Sequence, residues 1–113
     1  MSELTEALRR RGADMDGAMD RFAGDEELYE TCLKLFLFSP SFSALDGALR
    51  SGDCPAAFEA VHSLKGVAGN LGLTTLCRAA CALTEPLRRG DASGLEGPYQ
   101  ALRAEKASLE SLR

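Results

Sequence analysis

The chain has little of what several classes of protein require. Among its 113 residues there is no tryptophan, one histidine and only 6% aromatic residues. No basic run exceeds the three arginines Arg9 to Arg11, and a formal net charge of −4 argues against a nucleic-acid partner. No apolar stretch approaches the roughly 20 residues of a membrane span, and residues 1–6 lack the pattern of a signal peptide. We therefore expect a cytoplasmic protein that binds neither nucleic acid nor membrane.

The alternation typical of strands is also missing, whereas apolar residues recur at spacings of three and four throughout. With 45% hydrophobic residues, residues 1–113 are expected to form one domain around one core. Met1 and a last helix that runs to Arg113 favour a complete small protein. We expect reduced, mostly buried thiols at the four cysteines, Cys32, Cys54, Cys77 and Cys81.

Capping residues and helix breakers divide the apolar pattern into segments. Ser2 and Gly12 bound a first short helix, and Asp16 caps a second that carries Met19 and Phe22 inward. Asp25, Glu26 and Glu27 open the next helix, which carries Leu28, Cys32, Leu35 and Phe36 and stops at Ser39-Pro40. A further helix runs to Gly52, and Asp53 caps the one from about Pro55 to Leu71. The last two are predicted from about Thr74 and from a start between Ser93 and Pro98. Long helices with short connections predict an all-α fold, an antiparallel four-helix bundle with a short N-terminal helical extension.

The segment from His62 to Gly72 concentrates unusual residues, reading His-Ser-Leu-Lys-Gly-Val-Ala-Gly-Asn-Leu-Gly. Lys65, Gly66 and Gly69 follow His62 by three, four and seven residues, so on a helix they share its side. The predicted core-facing stripe lies elsewhere on that helix and consists of Phe58, Val61, Leu64, Ala68 and Leu71.

Glycines inside this helix require an explanation, because each costs about 1 kcal/mol relative to alanine. Close helix packing is one explanation, and access for another molecule to the His62 imidazole is the other. Lys65 would add a positive charge for an anion bound there, such as a phosphoryl group. A lone histidine is more often a surface or satisfied core residue, but the combination favours chemistry on the imidazole.

The run from His62 to Gly72 closely resembles the signature of histidine-containing phosphotransfer (HPt) domains. In that pattern a lysine and a glycine stand three and four residues after the histidine, and small residues follow. The segments Gly24 to Tyr29 and Leu33 to Phe36 look like the helix that precedes the active helix in that family. Leu83 and Glu85 also fit.

This resemblance implies a monomeric phosphoryl carrier with no ATP-dependent kinase activity of its own. His62 would accept a phosphoryl group from a receiver-domain aspartate of a response regulator and pass it to another receiver. Lys65 would stabilise phosphoryl charge, and Gly66 and Gly69 would keep the docking surface open. The implied partners are receiver domains and a hybrid or chemotaxis-type histidine kinase. No cofactor is implied in this chain, because Mg²⁺ would be bound by the receiver.

Two residues depart from the family pattern. The resemblance places Thr84 beside the imidazole as part of the docking surface, where family members often have a longer polar residue. Pro86 removes a helical hydrogen bond and is expected to kink or loosen the helix shortly after Thr84.

Three other functions stay open at this point. The domain could be the substrate module of a chemotaxis-type histidine kinase, which an ATP-binding domain would phosphorylate. Cys77 and Cys81 could bind a metal together with Cys32 or His62. A purely structural bundle would require that His62 be dispensable.

Overall fold

Seven helices and no strand make up residues 2–112, the part of the chain that the computed structural model describes. The helices are α1 Glu3–Arg10, α2 Met15–Arg21, α3 Glu26–Leu37, α4 Pro40–Ser51, α5 Cys54–Asn70, α6 Thr74–Arg88 and α7 Glu96–Glu110. They pack around one core, which is mainly aliphatic and includes Tyr29 and Phe36. The prediction of an all-α helical bundle is confirmed.

The main contacts between helices join elements that are consecutive in sequence. Helix α5 packs against α4 and α6, α6 packs against α7, and α1 contacts α2. The molecule is elongated, with extents of 42 × 21 × 20 Å. Short connections favour an antiparallel course for the four bundle helices, and this detail stays a prediction.

The start of α2 differs from the sequence prediction. Asp14, not Asp16, is the N-cap, and its carboxylate accepts a hydrogen bond from the Gly17 amide at 3.1 Å. The buried residues of α2 are Met15 and Ala18, whereas Met19 and Phe22 are half-buried. Met19 and Phe22 nevertheless pack against the core, as predicted. They follow Met15 by four and seven residues and so lie on the same face of the helix, to which the earlier cap adds Met15 and Ala18.

The inward face of α3 was also only partly predicted. Its buried residues are Tyr29, Leu33, Phe36 and Leu37. Of the four residues assigned to this helix from sequence, Phe36 is buried and Cys32 half-buried, while Leu28 and Leu35 are 48% and 68% exposed. Two apolar sets with helical spacing occur on this helix, so periodicity alone could not decide between them.

The turn between α5 and α6 is anchored by the N-terminal helices. The Tyr29 hydroxyl donates to the Leu71 carbonyl at 2.6 Å, and the Asp14 amide donates to the Gly72 carbonyl at 2.8 Å. Arg21 donates to the carbonyls of the last two residues of α5 at 3.0 and 2.8 Å. These bonds satisfy carbonyls that a helix end leaves without intrahelical partners. The C-terminal end of α5 is therefore held by α2, α3 and the α1–α2 connection.

The last two helices bear on three further predictions. Helix α6 continues through Pro86 to Arg88, so the proline does not end it. Helix α7 begins inside the predicted window and ends at Glu110. The expectation that it continues to Arg113 is wrong for the described residues, and Arg113 and Met1 themselves lie outside them.

One apolar segment is longer than the sequence analysis allowed. By length and composition alone, Glu26–Ser51 would qualify as a membrane span, with a mean hydropathy of 1.2 over an 18-residue window that is 28% buried. That segment comprises α3 and α4, which are separate helices of 12 residues each. Each is about 18 Å long, against about 30 Å for the hydrocarbon core of a bilayer, so the segment is weak evidence for a membrane span.

Candidate functional site

Helix α5 buries one face and exposes the opposite one. At its start the Asp53 carboxylate accepts a hydrogen bond from the Ala56 amide at 3.1 Å. Its buried face carries only aliphatic side chains, those of Ala57, Ala60, Val61, Leu64 and Ala68. His62 and Gly66 lie on the exposed side, and Lys65 is half-buried at its edge. The helix therefore presents the imidazole to solvent and leaves it accessible to a partner.

The His62 ring stacks on the ring of Phe58, one turn earlier. The two ring centroids are 5.6 Å apart and the planes are inclined by only 15°. Within residues 2–112, no group donates a hydrogen bond to the imidazole or accepts one from it. Stacking holds the ring in place by dispersion and leaves its edge nitrogens unbonded.

Phe58 in turn connects α5 to α6. The Arg88 guanidinium carbon lies 5.3 Å from the Phe58 centroid, and Arg88 Nη1 pairs with Glu85 Oε1. Phe58 was assigned to the core stripe from sequence; it is half-buried, packs against the core and also supports the imidazole. Its position four residues before His62 was a readable signal for this contact. The role of Arg88 depends on how the two helices pack and had no signal in sequence.

Neither glycine beside His62 is required by the packing of the protein. A Cβ built on Gly66 would meet no atom within 4 Å. One built on Gly69 would lie 3.9 Å from Cys77 Sγ, an ordinary van der Waals contact. Close helix packing therefore does not explain these two residues.

Lys65 carries a charge that no described residue neutralises. No carboxylate within residues 2–112 forms an ion pair with its ammonium group. Burial raises the pKa of the Cys77 thiol, Cys81 adds to that rise, and the Lys65 charge opposes it. The Lys65 carbonyl lies 3.7 Å from Cys77 Sγ of α6, and no described carboxylate pairs with the Lys65 ammonium group.

Thr84 does not belong to the exposed surface, and its assignment to partner docking is corrected. The contacts of Lys65 with Cys77 and of Phe58 with Arg88 place Thr84 near the level of His62, as expected. However, its side chain is turned inward with only 4% of the residue exposed, and its hydroxyl donates to the Ala80 carbonyl at 3.0 Å. A buried hydroxyl that is satisfied within its own helix cannot contact a docked partner.

The cysteines do not assemble into a metal site. Cys32, Cys54 and Cys77 are half-buried free thiols, and Cys81 is exposed, so the expectation of mostly buried cysteines is wrong for Cys81. The described residues contain no group of three or more His, Cys, Asp or Glu side chains that could hold a metal ion. The alternative of a Cys/His metal centre therefore has no ligand set in the described part of the fold.

A family model described as the Hpt domain matches residues 40–112, which is more than half of the chain. The chain belongs to the Hpt domain family. The match covers α4 to α7 and includes every α5 and α6 residue discussed above, whereas the segments from Gly24 to Phe36 that resembled the family lie outside it. No curated protein and no solved structure matches the chain with significance.

Membership of this family implies histidine phosphotransfer in a two-component phosphorelay. Hpt domains are phosphocarrier modules, not kinases, and they interact with receiver domains and histidine kinases. This Hpt domain has one histidine in its entire sequence.

Proposed function

We propose that His62 is the residue that carries the phosphoryl group. The observation that carries this proposal is that an Hpt domain transfers phosphoryl through a histidine, and His62 is the only one in the chain. Its exposed imidazole, with no hydrogen bond to the described residues, is in keeping with that task.

In the forward step an unprotonated imidazole nitrogen attacks the phosphorus of an aspartyl phosphate on a receiver domain. A nitrogen–phosphorus bond forms, the bond from phosphorus to the carboxylate oxygen breaks, and the aspartate leaves as a free carboxylate. Attack on the phosphohistidine by the aspartate of a second receiver reverses these changes, so this chain would be an intermediate carrier. The receivers would supply the aspartates and Mg²⁺, whereas this chain supplies the nucleophile.

The neighbours of His62 are assigned separate tasks in this proposal. The unpaired charge of Lys65 stabilises the phosphoryl oxygens during transfer. Gly66 leaves room for the backbone of the docked receiver, and Gly69 extends that open surface toward the end of α5. Phe58, which the sequence analysis did not assign to the site, keeps the imidazole oriented through its stacking contact.

We propose that the receiver docks on the surface formed by Phe58, His62, Lys65, Gly66 and Gly69, here called the His62 face. All five residues belong to one chain and one helix, so a single copy contains the complete site. An interface on this narrow surface falls in the small, transient class. A cytoplasmic location would give the domain access to receivers and kinases.

A direct test follows label from phosphorylated receiver domains, with Mg²⁺, onto the wild-type chain and onto His62→Gln. We expect transfer to the wild type only, as a phosphoryl adduct that is lost in acid and retained in base. Because His62 is exposed, the variant should unfold at the same temperature as the wild type. Ser63→Ala is the matched control, since it removes an exposed neighbouring hydroxyl and should leave transfer unchanged. Label on His62→Gln would refute the assignment.

The identity of the phosphoryl donor distinguishes a relay carrier from the substrate module of a chemotaxis-type kinase. A relay carrier accepts label from a phosphorylated receiver without ATP, whereas a substrate module requires ATP and a kinase's ATP-binding domain. Both experiments use the same chain, and incubation with ATP alone should yield no phosphorylated protein.

A further inference from the structure

Exposed large apolar residues are concentrated on the outer surface of α3. Leu28, Leu35 and Phe38 are 48%, 68% and 66% exposed, and Phe38 directly follows the helix. Together with Thr31 they follow each other at spacings of three, four and three residues, which places them in one line along the helix. We call these four residues the α3 stripe. None of them belongs to the His62 face, so the proposed phosphotransfer does not account for them.

Spacings of three and four are those by which one helix packs along another. The polar atom within the α3 stripe is already satisfied, because the Thr31 hydroxyl donates to the Glu27 carbonyl at 3.0 Å. Covering the stripe with a second helix would therefore bury methyl and ring carbons without leaving an unpaired hydroxyl group.

Two charges beside the α3 stripe indicate which helix would cover it. Glu27 and Lys34 are seven residues apart and so lie on the same flank. Neither forms an ion pair with another residue in the described part of the chain. In an antiparallel helix pair, each flank faces the same flank of the partner, so Glu27 of one copy would face Lys34 of the other.

The apolar positions obey the same symmetry. A twofold axis midway between residues 31 and 32 would exchange Leu28 of one copy with Leu35 of the other. An axis one residue earlier in the helix would exchange Glu27 with Lys34. A surface that complements itself about a twofold axis is suited to a second copy of the same chain. A parallel pair would place Glu27 opposite the flank that carries Cys32, where no lysine stands.

We propose that two copies of this Hpt domain associate through an antiparallel pairing of their α3 stripes, with Glu27 of each copy bound to Lys34 of the other. This differs from the monomer implied by the family resemblance. A single pair of three-turn helices is a small interface, so the dimer forms at micromolar to millimolar concentrations and exchanges readily. The His62 face contributes no residue to the pairing.

Sedimentation equilibrium of the full chain tests the stripe itself. We expect the wild type to pass from monomer to dimer as its concentration rises, and Leu35→Asp to remain monomeric because it places charges at the centre of the interface. Ala104→Asp, a matched change at an exposed position of α7, should dimerise as the wild type does. A wild type that stays monomeric at millimolar concentration, or a Leu35→Asp variant that still dimerises, would overturn the proposal.

Exchanging the charges tests the antiparallel orientation. Glu27→Lys alone and Lys34→Glu alone each create two like-charge contacts and should weaken self-association roughly tenfold. Mixed together, the two variants restore both opposite-charge pairs, so a heterodimer should form with the affinity of the wild type. Failure of the mixture to recover association would exclude this pairing.

Two further experiments test whether the α3 stripe binds a membrane or a receiver domain instead of a second copy. Binding of the wild type to vesicles of phosphatidylcholine and phosphatidylglycerol, abolished by Leu35→Asp, would replace the second copy with a lipid surface. Loss of phosphotransfer in Leu35→Asp would assign the stripe to the receiver. We expect neither result, and transfer to His62 should proceed at the wild-type rate in all these variants.

Discussion

The middle of α5 and its C-terminal end both contain glycine, for opposite reasons. Gly66, in the middle, has open space around it, and the helix there makes no contact that needs a missing side chain. Gly72, just past the end, has a φ of +72°, and an added Cβ would overlap the Asp14 carbonyl oxygen. The fold requires the second glycine and not the first, which the proposed docking of a receiver would explain. Helix α5 thus has a C-terminal end that is anchored by hydrogen bonds and a middle part whose exposed side is open.

The largest effect on stability is expected at the anchored end. Gly72→Ala should lower the free energy of unfolding by about 3 kcal/mol or more, because it combines a left-handed backbone with a backbone overlap. Gly52→Ala is the matched control, since Gly52 has a similar φ of +74° but no atom within 4 Å of an added Cβ. It should cost only about 1–2 kcal/mol. Urea unfolding of both variants measures the difference, and equal losses would show that the Asp14 contact does not constrain the turn.

In the middle of the helix, Gly66→Gln should affect function and not folding. We expect phosphotransfer to fall about tenfold or more, the equivalent of about 1.4 kcal/mol, because the new side chain obstructs the approach to His62. Stability should stay the same or rise by up to about 1 kcal/mol, because glycine is a poor helix former.

Gly66→Ala provides the graded control for that prediction. It confers a similar gain in helix propensity with only one added carbon, and so should retain most of the transfer rate. Stopped-flow or quenched-flow transfer assays and thermal melts separate the two effects. A Gly66→Gln variant that transfers at the original rate would disprove the access role of this glycine.

A smaller effect is expected from Tyr29→Phe, which removes the hydrogen bond to the Leu71 carbonyl at the anchored end. The loss should be about 1 kcal/mol. Transfer should be unchanged in that variant, because His62 lies more than two helical turns away. Burial raises the pKa of the Tyr29 hydroxyl, and the carbonyl acceptor does not titrate, so the loss should be the same in acid and at neutral pH.

The loss of stability in Tyr99→Phe, unlike that in Tyr29→Phe, should depend on pH. The Tyr99 hydroxyl donates to Asp46 Oδ1 at 2.7 Å, and this bond is the main cause that lowers the pKa of Asp46 below its ordinary value of 3.8. A carboxylate with a lowered pKa contributes stability above that ordinary value and loses it as the pH falls through the lowered one. The difference between the wild type and Tyr99→Phe should therefore disappear in acid. A difference that persists there would show that the Tyr99 hydroxyl stabilises the fold independently of the Asp46 charge.

Helix boundaries were predictable to within a residue or two wherever capping chemistry was unambiguous, as at Ser2, Asp25 and Asp53. Asp16 was the wrong cap because two aspartates compete within three residues, and only packing selects Asp14. The inward face of α3 was ambiguous for a similar reason, since Leu28 and Tyr29 both begin an apolar series with helical spacing.

For the candidate site, local spacing sufficed to place four residues together. His62, Lys65, Gly66 and Gly69 share one side of α5 because any α-helix brings residues three, four and seven apart onto one side. Local spacing could not predict which way the Thr84 side chain points. Its level along α6 was correct, but its rotation toward the core depends on how α6 packs against α5 and α7.

The sequence by itself determined that this protein is helical, that its single histidine lies on a helix beside a lysine and two glycines, and that it resembles an Hpt domain. These properties follow from short-range spacing and capping, which act within one segment. Only the tertiary structure decided that Gly66 is free of packing constraints, that Arg88 lies over the Phe58 ring, that Thr84 is buried and that the α3 stripe faces outward. Each of those depends on which helix covers which face, and that is determined by packing among segments distant in sequence.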